Sequence, residues 1–420
     1  MSGFKLPSLQ SAAALSFGFL AVFGGNFGQS FFVGFFGEEI QQSLGLSASA
    51  YSSAYSLATL VSAVTVVWLG SLIDRITLQK YVIIVAVGLT LATALLSQAY
   101  NIIVLTIGLY MLRLFGQALL PHAGSTTMAR AFDRHRGKAL SIASSGFPAG
   151  EIILPILAVS SIALIGWRWT YLSISIFIIF ILLPVLLWLI RFSHLSQYNP
   201  KTESLDPSND EKKIEGTQQK KIGVRHALLK DYRYWLALPG LMAGPFVATG
   251  IFIHQDFIVA SQGWTATLLA TSFIVYGVVH WASSLVSGVL VDRFSAVKLL
   301  PFFLIPLFIA LIFVAFIPGW WVVIIMMAFM GVTIGLSPPI TGSLWPEIYG
   351  SANIGTIRSV NIAIMVFSTS LSPVLFGFLI DFKVPLSVIL GGCAVYVLLS
   401  SALLIFSYFL HPEKHAIAFQ

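Results

Sequence analysis

The sequence predicts an all-α membrane protein: twelve transmembrane helices in two pseudo-symmetric six-helix bundles, with the N- and C-termini cytoplasmic. Three observations predict it. Of 420 residues, 57% are hydrophobic and only 9% are Asp, Glu, Lys or Arg, whereas soluble domains carry about 25% charged residues. A globular interior of this length could not bury that much apolar surface, so lipid must be the solvent for much of it. The apolar residues come in runs of spanning length, and a Gly-Asp-Arg pattern recurs at one fixed offset.

A span needs about 20 apolar residues, because the hydrocarbon core is about 30 Å thick and a helix rises about 1.5 Å per residue. Qualifying runs begin near Ala12, Ala50, Tyr81, Ile102, Ala139, Thr170, Tyr234, Thr265, Lys298, Trp320, Gly355 and Pro385. Strand-like alternation is absent, which sets a β-barrel aside. The first run is too long for the apolar core of a cleavable leader and reads as a retained span. Residues 192–233 form the long polar segment. Asn199-Pro200, Asp206-Pro207 and a dense mix of Lys and Glu mark it as a flexible linker. It separates an N-terminal bundle, residues 1–191, from a C-terminal bundle, residues 234–420.

Basic residues set the orientation. With a cytoplasmic N-terminus, the inner loops and ends hold Lys5, Arg75, Lys80, Arg130, Arg134, Arg136, Lys138, Arg191, Arg293, Lys298, Arg358, Lys414 and the linker, against Arg168 and Lys383 outside. The net charge of +7 is therefore loop charge and does not indicate a nucleic-acid partner. Cys393 stands alone in an apolar run, so neither a disulfide framework nor a Cys-based metal site is expected.

The halves are related by an offset of 218 residues. It carries Gly70-x3-Asp74-Arg75 onto Gly288-x3-Asp292-Arg293, Gly137 onto Gly355 and Pro155 onto Pro373. Duplicated bundles place a solute site near the bilayer midplane and rock around it. In the two loops, glycine would let neighbouring helices approach. Asp and Arg would bond a helix end or partner loop in one conformation and release it in the other, or would simply end helices and set topology.

These residues resemble the major facilitator superfamily. Gly70-Ser71-Leu72-Ile73-Asp74-Arg75, with Lys80 beyond it, is similar to the signature between helices two and three, and Gly288–Arg293 is its weaker copy. Arg113-Leu114-Phe115-Gly116-Gln117 resembles the arginine–glycine motif of the fourth helix. Phe132-Asp133-Arg134-His135-Arg136-Gly137-Lys138-Ala139, followed by Ser145-Gly146-Phe147-Pro148-Ala149-Gly150, resembles the monocarboxylate-transporter-like branch. The resemblance implies a monomeric secondary transporter.

Arg113 is the most informative residue. It lies about 17 Å along the fourth span, near the midplane. An arginine there costs at least ~2.5 kcal/mol, so it should face a cavity or a partner. Glu151 reaches a similar depth in the fifth span and could pair with it. Either that pair is permanent, or protonation of Glu151 releases Arg113 and couples the cycle to protons. Gln117 shares the face of Arg113. Asn26 and Gln29, spaced i, i+3 in a glycine-rich first span, line the cavity or bond between helices. Tyr276, His280, Ser284 and Ser287 form a stripe on the eighth span. The eleventh span offers Asn361.

No Gly-x-Ser-x-Gly, His-Glu-x-x-His, phosphate loop or metal-ligand cluster is present, so an enzyme, a metal and a cofactor are not expected. Nor does the sequence show a channel filter. The expected partners are a small solute, protons and the lipid bilayer. The expected role is uptake of a carboxylated or polar metabolite across a bacterial cytoplasmic membrane, with proton-driven efflux of drugs or other amphipathic compounds as the alternative.

Overall fold

The computed structural model describes residues 9–132, 135–195, 226, 228–350 and 354–409. Most of the linker, including Asn199-Pro200 and Asp206-Pro207, lies outside the described residues, as do Lys5, Asp133, Arg134 and Lys414. The described chain is helical throughout, and ten of its helices are long and apolar enough to cross a membrane. Large side chains stand outward from them, including Trp68, Ile103, Leu164, Phe180, Val289, Phe302, Phe367 and Leu399. Water would not tolerate so much exposed apolar surface. The chain is a multi-pass membrane protein.

Two places account for the difference between ten helices and the predicted twelve runs. Arg136–Phe192 forms a single stretch of 57 residues, but Gly166 interrupts it at φ 76°, ψ 162°, backbone angles open to glycine alone. Arg168, just past that break, donates to the carbonyls of Ser97 (3.2 Å) and Ala99 (2.6 Å), satisfying the end of the Leu78–Ser97 helix. The run after Lys298 contributes the short helix Ile305–Phe316. Pro301 and Pro306 each lack an N–H, so the winding before it is held by tighter i→i+3 bonds, Phe302 to Leu299 and Ile305 to Phe302.

Contacts divide the chain into two compact units, Met1–Glu203 with Phe252–Asp256, and Ser204–Ile251 with Phe257–Gln420. Within the first, Ala48–Gly70 packs on Ile102–Met111, and Leu78–Ser97 on both Ile102–Met111 and Leu183–Phe192. Within the second, Ala266–Phe294 packs on Val322–Tyr349, and Ile305–Phe316 on both Val322–Tyr349 and Leu386–Leu404. The helices paired by the 218-residue offset thus choose equivalent neighbours.

The second unit's first long helix, Tyr232–Ile253, is anchored at its start. Asp231 accepts hydrogen bonds from the Arg233 backbone N (2.9 Å), Nε (3.1 Å) and Nη2 (3.0 Å), and from the Tyr349 hydroxyl at 2.9 Å. Tyr408 lies 2.7 Å from that hydroxyl. Burial alone would raise the pKa of Asp231. The bonds from Arg233 and Tyr349 and the Arg233 charge outweigh it and hold the carboxyl below its ordinary value.

Candidate functional site

Two helices of the first unit lose regular winding where they meet. The first span runs as an α-helix over Leu9–Gly25, tightens to a 3-10 turn over Asn26–Gly28, becomes extended at Gln29 (φ −76°, ψ 151°) and resumes over Ser30–Gly34. Gly24, Gly25 and Gly28 weaken the helix here, and the Asn26 amide donates to the Phe23 carbonyl at 3.0 Å, a local bond that competes with helix bonding. The fourth span is α-helical over Ile102–Met111, π-helical over Leu112–Leu119 and α-helical again over Leu120–Ala131. Pro121 follows the π segment and supplies no N–H to the turn before it.

The irregular stretches touch backbone to backbone. A Cβ on Gly28 would collide with the Gln117 nitrogen and stand 2.5 Å from the Leu112 carbonyl oxygen, while one on Gly116 would stand 3.0 Å from the Gly28 nitrogen. Only glycine permits this approach. Discontinuous helices that expose backbone groups at depth are where transporters build their binding sites.

Arg113 sits in the π segment, 3% exposed. Its Nη1 donates to the Gly28 carbonyl and its Nε to the Thr59 hydroxyl, both at 3.1 Å, and its guanidinium carbon stands 4.9 Å from the centre of the Tyr55 ring. The Thr59 hydroxyl in turn donates a hydrogen bond to the Tyr55 carbonyl at 2.9 Å. All these partners are uncharged. A guanidinium has five N–H donors, and these bonds use two of them. The pairing with Glu151 expected from depth is not what holds Arg113 here.

Nearby polar atoms also lack partners. The Tyr51, Ser56 and Tyr171 hydroxyls and the Asn26 carbonyl oxygen are buried without a hydrogen bond. Tyr55 and Tyr171 are electrostatic neighbours of Tyr51, and Phe36 stacks on the Tyr171 ring at 4.1 Å. Each such orphan costs about 1–3 kcal/mol, a debt that a polar ligand or ordered water would relieve. Tyr51, Tyr55, Thr59 and Ser62 stand at i, i+4, i+8, i+11 on one helix, the spacing already noticed on the eighth span, so this signal was available in the sequence.

The other predicted residues have varied surroundings. Asn26 is fully buried and donates to the Gly146 carbonyl at 2.9 Å, a bond between helices. Gly150 packs against the same amide so closely that a Cβ would overlap it. Glu151, the next residue, is buried at 7% exposure. Gln29 and Gln117 are half-buried. Because the chain is extended at Gln29, Asn26 and Gln29 do not share one helical face.

In the second unit, the Tyr276 and His280 rings stand 5.9 Å apart on one helix, and the backbone of that turn packs against Val322–Tyr349. A Cβ on Gly331 would lie 2.7 Å from the Tyr276 carbonyl, and one on Gly335 2.5 Å from that of His280. Ser287 donates to the Leu336 carbonyl at 3.0 Å. Asn361 accepts from the Tyr234 hydroxyl at 3.3 Å and donates to the Ile357 carbonyl at 2.9 Å. Ser287 and Asn361 thus bond between helices.

The two signature loops are braced differently. Asp74 forms an ion pair with Arg130 while Arg75 stays exposed. In the copy, Asp292 and Arg293 are exposed, and Glu347 does the bracing: it accepts from the Ser295 hydroxyl (2.9 Å) and the Ala296 (3.0 Å) and Val297 (3.4 Å) nitrogens. No helix closely approaches either loop glycine in this conformation. A Cβ on Gly70 meets nothing nearer than 4.0 Å, and one on Gly288 nothing within 4 Å. Among the described residues, no three His, Cys, Asp or Glu side chains gather into a metal-binding group.

The family profile described as Major Facilitator Superfamily matches residues 18–260. The chain is similar in structure to a bacterial homologue of the human lysosomal transporter Spinster. Against its inward-facing, occupied crystal form the TM-score is 0.71, with 14% identity over 97% of this chain and 99% of the other. Against the inward-facing, unoccupied form the TM-score is 0.67, with 12% identity over 98% and 99%. At such identity the likeness speaks for the fold alone. No curated protein sequence matches the chain.

Proposed function

The chain belongs to the Major Facilitator Superfamily, and on that premise we propose that it takes up a small carboxylated or polar metabolite by proton-coupled alternating access. The observation that carries this is Arg113, a buried cation whose hydrogen-bond partners are all neutral and use two of its five N–H donors. Burying a guanidinium costs several kcal/mol unless charge or hydrogen bonds compensate. A carboxylate could accept two parallel N–H bonds from it. The unpaired hydroxyls of Tyr51, Ser56 and Tyr171 would take the remaining polar groups of such a solute.

Proton coupling rests on Glu151. It is a buried carboxyl one residue from the contact between Gly150 and Asn26, and in this reading it is the coupling group. The topology proposed is twelve spans with both termini in the cytoplasm, counting the two arms of Arg136–Phe192 on either side of Gly166 and the run ending in Ile305–Phe316 as separate crossings. The halves are residues 1–191 and 234–420, joined by the linker at 192–233, and the protein works as a monomer in a bacterial cytoplasmic membrane. The resemblance of the fourth-to-fifth span stretch supports a place in the monocarboxylate-transporter-like branch.

The test is transport by the purified protein in vesicles enclosing a pH-sensitive dye, challenged with small carboxylates, amino acids and cationic drugs. Inward proton movement with carboxylates, lost in Glu151→Gln, is the expected result. Proton movement driven by the cationic compounds alone would overturn uptake of a carboxylate. Carboxylate uptake that stays pH-dependent and undiminished in Glu151→Gln would remove Glu151 as the coupling group.

A further inference from the structure

The second unit contains an open recess of about 1510 Å³, far from Arg113 in sequence and lined by residues of that unit alone. It lies where Ala266–Phe294 and Val322–Tyr349 end and Ile354–Asp381 begins. Three cations line it, Arg293, Lys298 and Arg358, all exposed. Arg358 uses one N–H on the Gly342 carbonyl at 3.0 Å, and Arg293 stands 5.3 Å from the Phe294 ring centre. Of the two carboxylates in the lining, Glu347 is engaged by Ser295, Ala296 and Val297, and Asp292 is exposed. The first unit's equivalent loop differs: there Arg130 is bound to Asp74, and the 218-residue offset maps Arg130 onto apolar Ile348. The second copy thus lacks the helix cation that holds the loop carboxylate, and Arg293 is exposed as Arg75 is in the first.

The other half of the lining is apolar. Phe294, Leu299 and Phe302 border the cavity, and Phe302 is followed on the short apolar helix Ile305–Phe316 by Ile305 and Phe316, the three exposed at 58%, 45% and 63%. A cavity larger than a usual small-molecule pocket of about 300–1,000 Å³, basic at one side and open to these apolar side chains at the other, suits an amphiphile and not a free ion. We propose that this cavity binds an anionic phospholipid, its phosphate held by Arg293, Lys298 and Arg358 and its acyl chains lying along Phe302 and Ile305. Basic recesses at the ends of transmembrane helices attract acidic head groups in this way. A zwitterionic choline head group would bring a fourth cation against the three and bind more weakly.

The full chain in detergent, titrated with short-chain phosphatidylglycerol and followed by native mass spectrometry, tests this. Phosphatidylcholine of the same chain length and inorganic phosphate serve as the comparison arms. The expected result is preferential retention of phosphatidylglycerol, weakened about fivefold for each cation removed in Lys298→Gln and Arg358→Gln, with inorganic phosphate failing to displace it. Lys298 is an exposed side chain, so Lys298→Gln keeps the measurement available if Arg358→Gln does not fold. Equal binding of the two lipids, unchanged binding in a folded variant, or displacement by equimolar phosphate would each overturn the proposal.

Discussion

Replacing Arg113 separates its charge from its geometry. Arg113→Lys keeps the cation but loses the planar fork, and a single ammonium cannot serve Gly28, Thr59 and a ligand carboxylate together. One charge-assisted bond to the solute is worth about 1.5–3 kcal/mol, so its loss should weaken apparent affinity roughly 10- to 150-fold. Arg113→Gln removes both parallel bonds, about 3–6 kcal/mol, and transport should fall at least about 100-fold. The fold should survive. Leaving the Gly28 carbonyl without its donor costs about 1–3 kcal/mol, and removing a cation from the membrane interior returns roughly 2.5–3.5 kcal/mol. The assay pairs carboxylate uptake kinetics in vesicles with thermal melting of the same preparations in detergent. Folded Arg113→Gln protein with the wild-type Michaelis constant would refute the assignment of Arg113 to the solute.

Three further outcomes follow from the geometry. Gly28→Ala drives a methyl into backbone on two sides and should cost about 1–3 kcal/mol or more, seen as a lowered melting temperature. Gly137→Ala, where a Cβ meets nothing within 4 Å, should leave it unchanged or raise it. The folded-state pKa of Asp231 lies below its unfolded value of 3.8, so its stabilisation is present above that value and is lost as pH falls through the depressed folded pKa. Melting curves from pH 7 to pH 3 should show that loss in the wild type, and Asp231→Asn should lack this component. A double-mutant cycle on Asp74 and Arg130, whose side chains are 53% and 34% exposed, should return a coupling of only about 0.2–1 kcal/mol in stability, while transport rates change more. Coupling well above that range would mean that the pair is structural.

Arg113 could be read from the sequence because a charge in a long apolar run is costly wherever it points. The helical character was legible for the same reason: apolar runs of spanning length leave the backbone few ways to satisfy itself. Backbone irregularity was harder to see. Gly24, Gly25 and Gly28 suggest close packing as readily as a break, and Pro121 does not announce a π segment before it. Pro121 does map onto Pro339 at the 218-residue offset, a coincidence as good as that of Pro155 and Pro373. The polar stripe on the eighth span shows the opposite limit. Its periodicity asks for a protein-facing side but cannot distinguish a cavity from a neighbouring helix; here the Tyr276 and His280 backbones lie against Gly331 and Gly335 of Val322–Tyr349. The Tyr51, Tyr55 and Thr59 stripe obeys the same spacing and reaches Arg113.

The two ways of bracing the signature loops make the halves respond unequally to salt. Asp74 and Arg130 meet at the surface, where mobile ions at about 0.15 M screen charges over about 8 Å. Glu347 instead binds a hydroxyl and two backbone N–H groups directly, and added ions have no opposing charge there to replace. Rising ionic strength should therefore slacken the first half's loop while leaving the second half's in place.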